Sequence, residues 1–220
     1  MKGEDQAREL AETMVGLGTD AGVTTVALLT DMSTPLGLTA GNAIEVAESV
    51  EVLAGGGPED VVELTLTLAR EMLAAAGKTD VDPAEALADG RAMDVWRRMI
   101  AAQGGDPDAT LPQARETHVV VAPTDGTLTR LDALGVGVAA WRLGAGRSRP
   151  GESVQAGAGV VLHAKPGDAV SAGAPLMTLH TDEPARFERA LAALDGAFDV
   201  VAEGGSGPDR SASIVLARIG

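Results

Sequence analysis

Near the middle of the chain the hydrophobic period changes, and this limits the fold more than any other feature of the sequence. Before residue 103 apolar side chains recur every three or four residues, the spacing of helices with one buried face. After residue 115 they come in short runs broken by turn signals, the spacing of strands. Between the two lies Gln103 to Arg115, QGGDPDATLPQAR, whose paired glycines, two prolines and scattered polar residues suit neither period. A chain built this way is expected to hold two units, 1–113 and 116–220, each long enough to bury a core.

In the first unit Ala7, Leu10, Ala11 and Met14 mark one face of a helix over Glu4 to Leu17, stopped by Gly18 and Gly22. Val23 to Thr30, VTTVALLT, is β-branched and nearly all apolar, which predicts a strand covered on both faces of an α/β sheet. A loop, DMSTPLGLTAG, follows. Asn42 and Glu45 approximate a capping box at the start of a helix carrying Ile44, Val46, Val50 and Leu53. Gly55 to Gly57 end it, and Pro58, Glu59 and Asp60 suit the positive start of the next, with Val61, Leu64, Leu68 and Met72 as its apolar stripe. Asp82-Pro83 opens a short helix, and Ala92 to Ala102 forms another through Val95, Trp96, Met99 and Ile100.

The second unit reads as a β-rich module: THVVVAP, the turn Asp125-Gly126, TLTRLD, and GVVLHAKPGDAVSAGAPLMTLHT. Ala133 to Leu143 predicts a packed helix through Val136, Ala139, Ala140 and Leu143, although glycines weaken it. Pro184 to Leu194 is a clearer amphipathic helix, followed by strands near Phe198 to Val201 and Ser213 to Arg218, with an exposed loop over Glu203 to Ser211.

A net charge of −15 repels polyanions, and the loose cluster Arg142, Arg147 and Arg149 has only Trp141 beside it, so no nucleic-acid platform is expected. The absence of cysteine excludes disulfides, thiolate metal sites and a cysteine nucleophile. No run reaches the roughly 18 apolar residues of a membrane span. The start, MKGEDQARELAETM, turns acidic too early for a secretory signal, so a soluble, cytoplasmic protein is expected. His118, His163 and His180 all lie in strand-like segments without metal spacing, and no GxSxG elbow occurs, so none is assigned chemistry. Gly55-Gly56-Gly57-Pro58 lacks the lysine and hydroxyl of a P-loop, and Gly135-x-Gly137 and Gly144-x-Gly146 lack a full dinucleotide fingerprint, so these read as turns and close-packing points. The best candidate site is the loop Leu36 to Ala40 with Glu48, where carbonyls and a carboxylate are hard oxygen ligands for a cation. The plainer reading of Glu48 is a solvated helix residue beside a turn.

Taken together, ALLTDMSTPLG, GNAIEVAE, LAGGGPEDVVEL and MIAAQGGDP, then PTDGTLTRLDALGVGVAAWRLGAGR and KPGDAVSAGAPLMTLHT, resemble the pyrimidine-nucleoside (thymidine) phosphorylase family in content and order. The resemblance implies an α/β protein: a partial α/β nucleoside-phosphorylase catalytic domain over 1–113, followed by an α/β-hammerhead-like (α+β) C-terminal domain over 116–220. It implies pentosyl transfer, in which phosphate attacks the anomeric carbon of a pyrimidine nucleoside and yields free base and pentose 1-phosphate. The family's phosphate and base contacts lie upstream of a glycine-rich turn whose end Met1-Lys2 resembles, so no catalytic residue is expected here and the chain alone is expected to be inactive. Without those segments to pack on, self-association is expected. The resemblance also implies half of a potassium-type site, from the carbonyls of Leu36 and Thr39 and the carboxylate of Glu48, with Thr39 replacing a commoner alanine; no organic cofactor is implied. Glu152-Ser153-Val154-Gln155 departs from the family, which commonly carries a hydrophobic-aspartate pair there. Two other readings compete. GDAVSAGAPLMTL resembles the half-barrel repeat of biotinyl or lipoyl carriers, a non-catalytic barrel-sandwich module, but Lys165 precedes Pro166-Gly167 instead of sitting in an MK hairpin tip. An anthranilate phosphoribosyltransferase-like enzyme is opposed by the second unit.

Overall fold

The computed structural model describes residues 3–147, 149–202 and 213–220; Met1-Lys2 and the Glu203 to Ser211 loop lie outside the described residues. Helix α1 (Glu4–Asp20) leads to β1 (Ala27–Thr30) and β2 (Thr39–Gly41). Four helices follow: α2 (Ala43–Leu53), α3 (Glu59–Ala75), α4 (Pro83–Ala88) and α5 (Arg91–Ala102). After the connector come β3 (Glu116–Val121), β4 (Gly126–Leu131), and α6 (Ala133–Ala140), which widens into a π-type turn over Trp141–Ala145. The rest is β5 (Gly159–Leu162), β6 (Ala169–Val170), β7 (Pro175–Thr181), α7 (Phe187–Leu194), β8 (Phe198–Val201) and β9 (Val215–Ile219). No helix among the described residues is long and apolar enough to cross a membrane.

Helix ends follow local chemistry. Asp82 caps α4 by accepting the Ala84 amide, and Asp132 caps α6 by accepting that of Gly135 at 2.9 Å. Glu59 and Asp60 lie in the first turn of α3, where the helix dipole favours them. The expected capping box of α2 does not form. Asn42 Nδ2 instead donates to the Ala145 carbonyl at 2.7 Å, and Glu45 accepts the Gly41 amide at 2.6 Å. A long-range acceptor thus takes the side chain that a local cap would have used.

The strands form three small sheets in a mixed α/β fold: β2-β5-β7-β3, β6-β4-β8, and β1-β9. Their pairings are antiparallel. Two expectations change here. The strand predicted over Val23 to Thr30 is shorter, pairs with β9 alone among the described residues, and buries only Leu29, so these residues do not cover it on both faces. The segment read wholly as loop ends in β2, an edge strand that pairs Thr39 with Val161 and Gly41 with Gly159. Three residues ending in glycine carry no alternation to read; the partner edge makes the strand. Backbone pairing therefore crosses the connector twice, once through β2 and once through β1 and β9.

The core lies beyond the connector. Leu128, Val136, Leu143, Val160, Leu179 and Leu194 are among the buried residues that join its sheets to α6 and α7. Among the described residues before the connector, the buried hydrophobic residues other than proline are Ala11, Leu29, Ala43 and Val52. The stripes predicted on α1, α3 and α5 exist, yet Leu10, Met14, Leu68, Met72, Val95 and Met99 remain exposed along them.

Candidate cation site

The turn from β1 into β2 runs through Pro35, Leu36, Gly37 and Leu38, and the amides and carbonyls of Gly37 and Leu38 all have specific partners. Gly37 has φ +66°, and a Cβ there would run into the Glu48 carboxylate and Val61, so the position requires glycine on both counts. The Gly37 amide donates to Asp60 Oδ2 at 3.1 Å, from the first turn of α3. The Leu38 amide donates to Glu48 Oε1 at 2.8 Å, from the middle of α2, and the Leu38 carbonyl accepts the Leu162 amide at 2.7 Å. The carbonyls of Pro35 and Gly37 accept from Lys165 Nζ at 2.5 and 2.8 Å, and the same ammonium meets Asp60 Oδ2 at 2.9 Å.

Two carbonyls stay uncommitted. No hydrogen bond to Leu36 O occurs among the described residues. The Leu162 to Leu38 bond makes that pair the hydrogen-bonded one, so alternation along an antiparallel ladder turns the Thr39 carbonyl away from β5, toward the open side of the edge strand. The three residues predicted from sequence thus lie around one turn: Glu48 is held against it through Leu38, and Leu36 and Thr39 come shortly before and after Leu38 in the chain.

The charge balance favours a cation. Burial, first, raises the Glu48 carboxyl above its ordinary range, and the Asp60 and Glu45 carboxylates push the same way; the Leu38 amide and the nearby Thr39 hydroxyl oppose them. Thr39 Oγ1 is buried without a hydrogen bond of good geometry. Neutral carbonyls with one carboxylate suit a monovalent ion better than a divalent one, which calls for more carboxylate charge. Among the described residues no group of three or more His, Asp or Glu side chains gathers as a metal centre. The turn borders a cleft of about 550 Å³ whose lining includes Asp31, Leu36, Asp60, Glu63 and Lys165.

Asp60 and Lys165 were not among the predicted site residues. Asp60 reads as a helix-dipole residue, and Lys165 stands out only as a carrier acceptor that lacks its motif. With a side chain 19 % exposed and three oxygen partners, Lys165 is unlike the free lysine a carrier displays at a hairpin tip. Its place beside Asp60 depends on pairing between segments more than a hundred residues apart.

The histidines lie elsewhere. His118 stacks obliquely on Phe187 with ring centroids 5.5 Å apart, and His163 Nε2 lies 2.7 Å from Thr178 Oγ1. His180 is pushed below the ordinary histidine range, by burial first and then by His163. The arginine cluster is split, since Arg142 Nη1 donates to the Arg189 carbonyl. The segment that departs from the family pattern is structured around Gln155, whose Oε1 accepts from the Asp182 amide at 2.7 Å and lies 3.0 Å from Thr181 Oγ1, and whose Nε2 donates to Glu183 at 2.7 Å.

Comparison with known proteins shows what the sequence as a whole is similar to. Residues 127–200 match the model of the pyrimidine nucleoside phosphorylase C-terminal domain. Thymidine phosphorylase of Mycobacterium tuberculosis is 58 % identical over 200 residues, covering 91 % of this chain and 47 % of that protein. Pyrimidine-nucleoside phosphorylase of Bacillus subtilis is 40 % identical over 193 residues, covering 83 % of this chain and 45 % of that protein. Human thymidine phosphorylase is 38 % identical over 202 residues, covering 83 % and 42 %. The chain spans about half the length of the curated relatives it matches.

Proposed function

This chain belongs to the thymidine and pyrimidine-nucleoside phosphorylase family, and from that premise we propose that it works as part of a pentosyltransferase that splits pyrimidine nucleosides with phosphate. The 58 % identity over 91 % of the chain carries the reading. In this reading residues 1–113 form the later part of the phosphorylase catalytic domain and residues 116–220 a hammerhead-like domain packed on it.

The chemistry asks for phosphate on one side of the anomeric carbon and stabilised negative charge on the base departing from the other, a task of positioning and electrostatics. The residues described here contribute to scaffold and cation site, while phosphate and base are held by polypeptide corresponding to the unmatched half of the relatives. Leu36 O, Thr39 O and the Glu48 carboxylate would hold a monovalent cation of potassium type. Such an ion would neutralise the acidic turn and fix the β1–β2 loop, and the contact of Glu48 with the Leu38 amide and the burial of Thr39 Oγ1 beside it support that role. The exposed apolar stripes of α1 and α3 support association with that other half or with another copy of this chain.

The test is phosphate-dependent release of thymine from thymidine, by the chain alone and with a separately supplied N-terminal half of a relative. Activity only in the mixture is expected. Turnover by the chain alone would overturn the division of labour, and inactivity of the mixture, with the two pieces bound to each other, would overturn the assignment of activity.

A further inference from the structure

Lys165 is a cation already built into the turn, and the proposed ion site is made from what it leaves over. Its ammonium takes two carbonyls, Pro35 O and Gly37 O, and one carboxylate, Asp60. That donor set is close in kind to the one formed by Leu36 O, Thr39 O and Glu48, so one loop presents two similar oxygen clusters. The ammonium is held from behind by a rigid turn. The Lys165 amide donates to Asp168 Oδ2 at 2.7 Å, the Asp168 amide to the Lys165 carbonyl at 3.0 Å, and the Gly167 amide to the Leu128 carbonyl at 2.7 Å. Leu128 is 1 % exposed, so the tether is fixed in the core of the second region.

We propose that Lys165 is a positioning residue: its ammonium acts as a tethered cation that holds the Pro35–Thr39 loop in the form in which Leu36, Thr39 and Glu48 can take a free monovalent ion. The inference rests on the cation site proposed above. It follows from what removal would do. Without the ammonium, two carbonyls and Asp60 would lose their donor, and Asp60, which already acts on Glu48 through its charge, would act unopposed. The loop would open toward water, taking with it the Gly37 to Asp60 and Leu38 to Glu48 bonds. The second region thereby sets ion affinity in the first without touching the ion.

The experiment uses the full chain and Lys165→Met, Lys165→Ala and Glu48→Gln. Hydrogen exchange is followed at the Gly37 and Leu38 amides, with Val160 and Leu179 as fold controls. The thermal midpoint is titrated with KCl at constant ionic strength against tetramethylammonium chloride. For Lys165→Met, exchange at Gly37 and Leu38 is expected to quicken at least tenfold and the half-saturating potassium concentration to rise at least tenfold, with Val160 and Leu179 unchanged. In Lys165→Ala, n-propylammonium is expected to restore both. Glu48→Gln should abolish the potassium response while leaving Gly37 protected. Unchanged loop exchange or unchanged potassium affinity in Lys165→Met overturns the proposal. Should that variant lose protection at Val160 and Leu179 as well, the n-propylammonium response of Lys165→Ala decides. A wild-type chain indifferent to potassium removes the cation reading and the ion half of the proposal, while loop exchange still decides whether Lys165 holds the turn.

Discussion

Leu179 and Leu68 are the same residue in opposite circumstances. Leu179, in β7, is 0 % exposed, while Leu68, on the predicted buried face of α3, is 44 % exposed. The contrast extends to the regions around them. After the connector, strands and two helices enclose one continuous core; before it, α1, α3 and α5 carry apolar stripes that nothing in the described residues covers completely. Hydrophobic period states which face of an element is apolar, and it is silent on whether a partner covers that face. The curated relatives that this chain matches are about twice as long as it is.

The sharpest attempt to break this contrast is a pair of truncations. Leu179→Ala should cost about 2–5 kcal/mol, as a cavity in a packed core does, whereas Leu68→Ala should cost less than about 1 kcal/mol. Equal losses in urea denaturation would mean that the helical region has a core of its own. A second pair uses hydroxyls. The Thr181 hydroxyl, fully buried, donates to Leu143 O at 2.7 Å, so Thr181→Val should cost about 1–3 kcal/mol by orphaning that carbonyl. The Thr67 hydroxyl donates to Glu63 O near solvent, and Thr67→Val should stay within about 0.5 kcal/mol.

Asn42→Ala sharpens the comparison in another way, by cutting the bond to Ala145 that ties α2 to the second region. A loss of about 1 kcal/mol is expected. Trp96 lies before the connector and Trp141 after it, so single-tryptophan versions of the variant should melt at different midpoints if the regions then part.

The smallest effects concern pH, and the two regions should differ in sign. His180 has a depressed folded pKa, so it contributes stability above about 6.5 that is lost as pH falls below that value. Replacing it with asparagine should flatten that acid limb. Glu48 has a raised folded pKa, so its contribution is present at low pH and is lost as pH rises through the range above about 4.5. In potassium-free buffer Glu48→Gln should therefore gain on the wild type as pH rises through that range, and potassium should cancel the gain. Parallel pH profiles for Glu48→Gln and wild type would remove the carboxylate from the argument.

Much of this molecule can be read from local signals. The stripes of α1, α3 and α5, the glycine turn before α3 and the strand character after residue 115 all rest on periods and turn residues within a few positions. Long-range pairing is where such reading stops. β2 is three residues long and exists because β5 offers an edge; β1 looks like a sheet interior and has one neighbour among the described residues. Leu36, Thr39 and Glu48 were identified by resemblance, and their closeness in sequence let the structure gather them at one turn. Lys165 and Asp60 are 105 positions apart, and neither carries a local mark of the other.

The pairing of β1 with β9 also has a meaning in time. Ala27 faces Ile219, so β1 waits for a partner that is synthesised about 190 residues later. At roughly 5–20 residues per second that wait is on the order of ten to forty seconds on the ribosome. For that interval the nascent chain exposes an apolar strand without its β9 mate, a natural foothold for a chaperone.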